Sequence, residues 1–206
     1  RMPRLYRNDF VQNSNDNYWM TNPASNLYNF HVPAVVGIVP QVQRSRTRLG
    51  VAQAQARLAG TDGRPGNKFT LPILQEIALS NRSYAAETYL PDMLTLCASQ
   101  TDAAVVSLCG VLSAWDRKFE LSSRGAHLFK EFITLASAIP NVYAVPFDFT
   151  RPLTTPSGLA IGNPAVATAL VGALTAAAKT ITDAGLAVDA PLGTVQFATQ
   201  TGLTGG

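Results

Sequence analysis

The chain has 206 residues and is 47% hydrophobic, which suits one ordinary domain and excludes a disordered tail or a mini-protein. Charged residues make up only 14%, below the roughly 25% of average soluble domains, so the surface left for water is thin or part of it is covered by something else, a first hint of a missing partner. The net charge of +3 is local: residues 1–50 hold six Arg against two Asp, and the remainder is balanced. The densest basic stretch, Arg44, Arg46 and Arg48, has no interleaved aromatics and sits in no DNA-binding motif. That argues against nucleic acid and suits a carboxylate or an anionic substrate.

Residues 1–43 are expected to be strand and loop. Four prolines and seven Asn fall there, with Phe10–Val11 reading as a strand end and Val32–Val39 as a short apolar run. The region 44–139 reads as helical. A first helix starts at Ser45, carries Leu49, Ala52, Ala56 and Ala59 on one face, and stops at Gly60. The loop Gly60–Gly66 resembles a phosphate cradle only superficially, because it lacks the Gly-Lys pair and the hydroxyl residue of a P-loop. Further helices are expected over 71–79, 83–99 and 102–116, the last with Thr101 as N-cap, and over 124–138 with Leu128, Phe129, Phe132 and Leu135 on the inner face.

Residues 140–162 form a Pro-rich connector with Tyr143 and Phe147. The region 163–206 opens on Asn163 as N-cap and Pro164 at the first helical position. Its helix presents Val166, Leu170, Ala173, Leu174, Ala177 and Ile181 and ends at Gly185; the tail from Pro191, with Val195 and Phe197, reads as a strand. The uncharged run Pro152–Ala178 is broken by Thr, Ser, Asn, Gly and Pro, so no membrane span is expected. The fold class is mainly α with short β ends.

Cys97 and Cys109 could close a disulfide loop, implying an oxidising compartment, or stand as two buried thiols. His31 and His127 are far apart and lie in no Cys/His cluster, so zinc is unsupported and His127 reads as structural. The stretch Asp9–Trp19 is the most unusual. Gln12, Asn13, Asn15 and Asn17 place carboxamides close together, each offering N–H donors without charge. Held rigidly, such a group suits an oxyanion; otherwise the segment is an Asn-rich turn capping its own backbone.

That stretch, DFVQNSNDNYWMTNP at 9–23, resembles a β-chain segment of the penicillin acylase family, in its acyl-homoserine lactone and aculeacin-type branch. In the same order follow SNRSYAAETYLPDMLTLC at 80–97, C-x-V-L-x-A-W-D at 109–116, SRGAHLFKEF at 123–132, PFD at 146–148, TPSGL at 155–159 and DAPLG at 189–193. The resemblance implies a piece of an αββα N-terminal nucleophile hydrolase, periplasmic or secreted, without cofactor. There a new N-terminal Ser attacks an amide carbonyl and its own α-amino group is the base.

By that resemblance Asn15 is the oxyanion donor, and Arg44 or Arg46 is the assisting arginine. Asn26 stands where calcium-binding members have Asp, so no calcium is expected. Because the family's β-chain begins with Ser and this chain with Arg1, the resemblance implies an internal β-chain piece. Its partners are the remaining β-chain, the α-chain and an N-acyl small molecule. The alternative is a non-catalytic helical binding module derived from the family.

Overall fold

A computed structural model describes residues 4–16, 18–25 and 40–196. The chain divides into two units, Arg1–Leu79 with Val145–Ser157, and Ser80–Ala144 with Gly158–Gly206. The helical stretch expected over 44–139 is therefore shared between them.

In the first unit, helix α1 (Ser45–Ala59) ends at Gly60, whose φ of 68° supplies the left-handed cap that its sequence position promised. The face it buries differs from the expected alanine stripe: Thr47, Arg48, Val51 and Arg57 are inside, whereas Ala52 and Ala59 are exposed. The reason is polar. Arg48 donates from Nε to the Leu153 carbonyl at 2.8 Å and from Nη1 to the Pro156 carbonyl at 3.0 Å. Arg57, fully buried, pairs with Asp62 at 3.0 Å and donates to the carbonyls of Arg64 and Pro65, so it moulds the 60–66 loop around its guanidinium.

Arg64 then reaches Glu76 of helix α2 (Leu71–Ala78) at 2.6 Å. Thr70 caps α2, accepting from the Ile73 N–H, and no α2 residue is buried. Trp19 and Met20, in a 3-10 turn at Tyr18–Met20, form a small apolar cluster with Leu5, Phe147 and Leu153.

The second unit holds the main core. Ser83 caps helix α3 (Tyr84–Cys97). Helix α4 (Ala103–Ala114) is capped by Asp102, not Thr101: the Asp102 carboxylate accepts from the N–H groups of Ala104 and Val105 at 2.9 and 3.0 Å, while Thr101 lies outside the helix. Cys97 and Cys109 are bridged, tying α3 to α4 across a separation of 12 residues. Helix α5 (Ala126–Ala136) packs chiefly on α6 (Pro164–Asp183). Between the helices lie Leu90, Met93, Leu112, Leu128, Phe129, Phe132, Leu170 and Leu174, all essentially inaccessible, with the Trp115 ring 4.9 Å from that of Phe129.

Gly125, at φ 85°, begins α5; a Cβ there would stand 2.9 Å from Val111 Cγ1, so only glycine lets α5 start this close to α4. Leu135, expected inside, is 40% exposed. Helix α6 is long and apolar enough to cross a membrane by length and composition. Its stripe Val166, Leu170, Ala173, Leu174, Ala177 and Ile181 is instead buried, against α5 and α4.

The β ends are not where the sequence suggested. Among the described residues the strands are β1 (Tyr143–Val145) and β2 (Ser157–Leu159), paired in the middle of the connector. Phe10–Val11 is not a strand: the Phe10 carbonyl accepts from the Asn22 side chain, and Gln12 beside it donates from its side chain to the Met20 carbonyl, in place of a ladder. Leu192–Val195 is a short helix, α7, seated by Leu192 N–H on the Ser123 carbonyl and Gly193 N–H on the Leu121 carbonyl. Val32–Val39 and Phe197 lie outside the described residues.

Candidate functional site

The carboxamide-rich segment is built by side chains acting on backbone. Arg7 grips Asp9 in a two-point pair at 2.9 and 2.6 Å, and this contact, then the Phe10 N–H, holds the Asp9 carboxyl well below the usual carboxylate range. Asn22, fully buried, donates to the Phe10 carbonyl at 2.8 Å and accepts from the Ala24 N–H at 2.9 Å. Gln12 donates from its side chain to the Met20 carbonyl and from its N–H to the Thr21 carbonyl. These carboxamides form the frame and are spent on it.

Asn13 and Asn15 behave differently. The Asn13 Oδ1 accepts from the Asn15 N–H at 2.8 Å, a local turn that throws Asn15 into the left-handed region at φ 66°. Asn tolerates that conformation better than most residues, and here it projects the side chain out of the loop, where it is exposed. Arg46 Nη2 donates to the Ser14 carbonyl and to Asn15 Oδ1, both at 2.8 Å. A guanidinium only donates, so the carboxamide oxygen must face Arg46 and its NH2 must face away. Asn15 therefore presents two N–H donors, with a cation fixed against the other end of its dipole.

Of the two expected arginines, the structure brings Arg46 to Asn15. Arg44 turns to Asp16, with Nε 3.3 Å from Asp16 Oδ1, and most of its side chain stays exposed. Arg48, third of the cluster, is committed to backbone carbonyls. Asp16 and Asn22 are the structural residues that sequence reasoning passed over. The available signal for Asp16 was that α1 has no capping side chain at Arg44, so its first turn needed an acceptor from elsewhere.

An open cavity of about 400 Å³ is lined by Tyr6, Arg7, Asn8 and Asp9, none of them a residue of the Asn15–Arg46 pair. His127 is buried with Nε2 2.8 Å from the Ala187 carbonyl, a structural placement. His31 and Asn26 lie outside the described residues. Among the described residues no three His, Cys, Asp or Glu side chains gather as metal ligands, and both cysteines are bridged.

A family model described as penicillin amidase matches residues 1–205, and the chain belongs to that family. It is 41% identical to aculeacin-A acylase of Actinoplanes utahensis over 181 residues, covering 84% of this chain and 22% of that protein. It is 39% identical to the acyl-homoserine lactone acylase PvdQ of Pseudomonas syringae pv. syringae over 206 residues, covering 98% of this chain and 25% of that protein. With the corresponding acylase of Pseudomonas putida the identity is 34%, over 96% of this chain and 24% of the relative. The chain thus spans about a quarter of the length of these relatives.

Proposed function

We propose that this chain is part of the β-chain of an amide hydrolase that cleaves N-acyl substrates, and that Asn15 supplies the side-chain donor of its oxyanion hole. The observation that carries the reading is the Arg46–Asn15 contact. A guanidinium 2.8 Å from the carboxamide oxygen favours one orientation of the group, with its oxygen on Arg46 and its two N–H donors turned away and available to an oxyanion. The nucleophile is an N-terminal Ser contributed by the rest of the precursor, with its own α-amino group as base.

When that Ser adds to the amide carbonyl, the oxygen gains negative charge and shortens its bond to the Asn15 N–H. Arg46 polarises the carboxamide from behind and stabilises the same charge at longer range. Collapse of the tetrahedral intermediate expels the amine, and water then releases the acyl group. Of the two arginines, Arg46 acts directly on Asn15 and Arg44 acts through Asp16. No step calls for a cofactor or metal.

The substrate classes follow the relatives: acyl-homoserine lactones, lipopeptide acyl chains or β-lactam side chains. Partners are the remaining β-chain and the α-chain of the same precursor, and the αββα core is completed by them. The Cys97–Cys109 bridge favours a periplasmic or secreted setting, where disulfides persist.

The test is the full-length enzyme as wild type and as Asn15→Ala, assayed on a long-chain acyl-homoserine lactone and on a phenylacetyl anilide. The expected result is a fall in kcat of about 10²–10³ for the variant on whichever substrate the wild type turns over. Unchanged turnover would remove Asn15 from the oxyanion hole.

A further inference from the structure

We propose that Asp16 is a positioning residue for Asn15, capping helix α1 from 28 positions upstream and thereby holding Arg46 against the Asn15 carboxamide. The inference rests on the oxyanion role given to Asn15 above, and it concerns a residue that the chemistry does not otherwise use.

Three observations carry it. First, the Asp16 side chain is only 4% exposed, although its neighbour Asn15 lies at the surface. A carboxylate is rarely buried unless its oxygens are occupied. Second, they are occupied by one structure, the start of α1: Oδ2 accepts from the Arg44 N–H at 2.8 Å and from the Thr47 hydroxyl, and Oδ1 pairs with Arg44 Nε. Helix α1 has no acid in its first turn and no capping bond from Arg44, its N-cap residue. Asp16 therefore supplies both the missing acceptor and the negative charge that a helix N-terminus favours.

Third, Arg46 lies in sequence between the two residues that Asp16 holds, the N-cap Arg44 and Thr47 of the first turn, and returns two hydrogen bonds to the loop, at the Ser14 carbonyl and Asn15 Oδ1. Loop and helix thus staple each other on both sides of Asn15, Ser14 before it and Asp16 after it. Freeing Asp16 unpins one side, lets the first turn of α1 fray, and lengthens the Arg46–Asn15 bond. Catalytic alignment is sensitive on this scale: a displacement of about 1 Å costs on the order of 10²-fold in rate.

The geometry also predicts which replacement is tolerated. Both cap bonds fall on Oδ2, so Asp16→Asn with its carbonyl oxygen in that place keeps them and loses the charge, that is, the pair with the exposed Arg44 guanidinium and the small, solvent-screened attraction to the helix N-terminus. Asp16→Ala keeps neither.

The experiment uses the full-length enzyme with five variants: Asp16→Ala, Asp16→Asn, Thr47→Val, Asn163→Ala and Asn15→Ala. Asn163 caps α6 in the other unit and controls for loss of a helix cap as such. Expected are a kcat lowered about 10²-fold by Asp16→Ala with KM within about twofold, an intermediate loss for Thr47→Val, and a rate within about fivefold of wild type for Asp16→Asn. Asn163→Ala is expected to lower the melting temperature without moving kcat.

Crystallography of the full-length Asp16→Ala enzyme gives a readout independent of turnover: the Arg46 Nη2–Asn15 Oδ1 contact, 2.8 Å here, is expected to be broken. An intact contact in that variant, wild-type kcat for Asp16→Ala, or an Asp16→Asn enzyme as impaired as Asp16→Ala would each overturn the positioning role. If Asn15→Ala keeps its turnover, the oxyanion reading itself falls. A loss confined to Asn15→Ala leaves that reading standing and removes Asp16 alone.

Discussion

In the unit formed by Ser80–Ala144 and Gly158–Gly206, the buried side chains are overwhelmingly leucine, phenylalanine, valine, alanine and methionine, gathered in one cluster between α3, α4, α5 and α6. In the unit formed by Arg1–Leu79 and Val145–Ser157, the buried side chains include Asn22, Gln43, Thr47, Arg48, Arg57 and Thr155, with Trp19, Met20, Val51, Pro152 and Pro156 among the apolar ones. Most of the large apolar side chains left exposed among the described residues belong to this same unit, Tyr6, Val11, Phe69, Leu71, Leu74 and Leu79 among them.

The unit of Ser80–Ala144 and Gly158–Gly206 makes its own core and draws its stability from removing hydrocarbon from water. The other spends its buried volume on directional contacts, which contribute little net stability but specify one geometry. That suits a unit carrying a candidate oxyanion donor, where placement matters more than strength.

The contrast can be broken by mutation. Phe129→Ala is expected to cost about 4 kcal/mol, since a fully buried ring leaves a cavity the surrounding helices cannot close. Arg57→Ala is expected to cost about 3 kcal/mol, chiefly because the nearly buried Asp62 carboxylate loses its main partner. The two tryptophans report separately, Trp19 in the unit with Arg57 and Trp115 in the unit with Phe129. Denaturant titration of Trp19→Phe and Trp115→Phe backgrounds should show each substitution moving mainly the transition seen by its own reporter. A single coincident transition in every case would erase the distinction between the units.

Acid should sharpen it. The carboxyls held below their ordinary range are Asp9, through Arg7, Glu76, through Arg64, and Asp148, through Thr150 and then Arg151, and all three lie in the polar unit. A depressed folded pKa contributes stability that is fully present above the unfolded value, near pH 4, and lost as pH falls through the folded value. These groups are solvent-exposed, so the effect is small, but its sign is definite. Lowering the pH from about 5 to about 2.5 should shift Trp19 emission before Trp115 emission.

The smallest expected effect concerns α2. Leu71→Gln together with Leu74→Gln should change the stability of this chain by no more than about 0.5 kcal/mol, because both side chains are already largely exposed. A loss above 1 kcal/mol in denaturant titration would mean that α2 is packed more tightly than its exposure shows.

Helix existence was legible, and the reasons are local. Gly60 at a left-handed cap, Asn163 followed by Pro164, and the Val166–Ile181 stripe all sit where short-range rules put them. The face of α1 was not legible. A pattern of apolar spacing cannot announce that two arginines outside the alanine stripe will be buried because carbonyls of residues 64, 65, 153 and 156 come to meet them. The same limit hid the exposure of α2, a helix expected over 71–79, whose leucines look like core in a one-dimensional pattern and are exposed in the structure. At the candidate site, the carboxamide cluster and the arginine cluster were each visible. Which arginine meets which carboxamide was not.

What the sequence determined by itself was therefore the existence of α1 to α6, most of their ends and the kind of chemistry a carboxamide such as Asn15 can do, since propensity, capping and functional-group character act within a few residues; the short α7 was expected to be a strand. Only the tertiary structure decided that Arg46 reaches Asn15, that Arg44 turns to Asp16, and that Arg48 and Arg57 are buried. Those outcomes depend on hydrogen bonds between residues up to 108 positions apart, and a polar side chain's partner is fixed by where the backbone folds back to meet it.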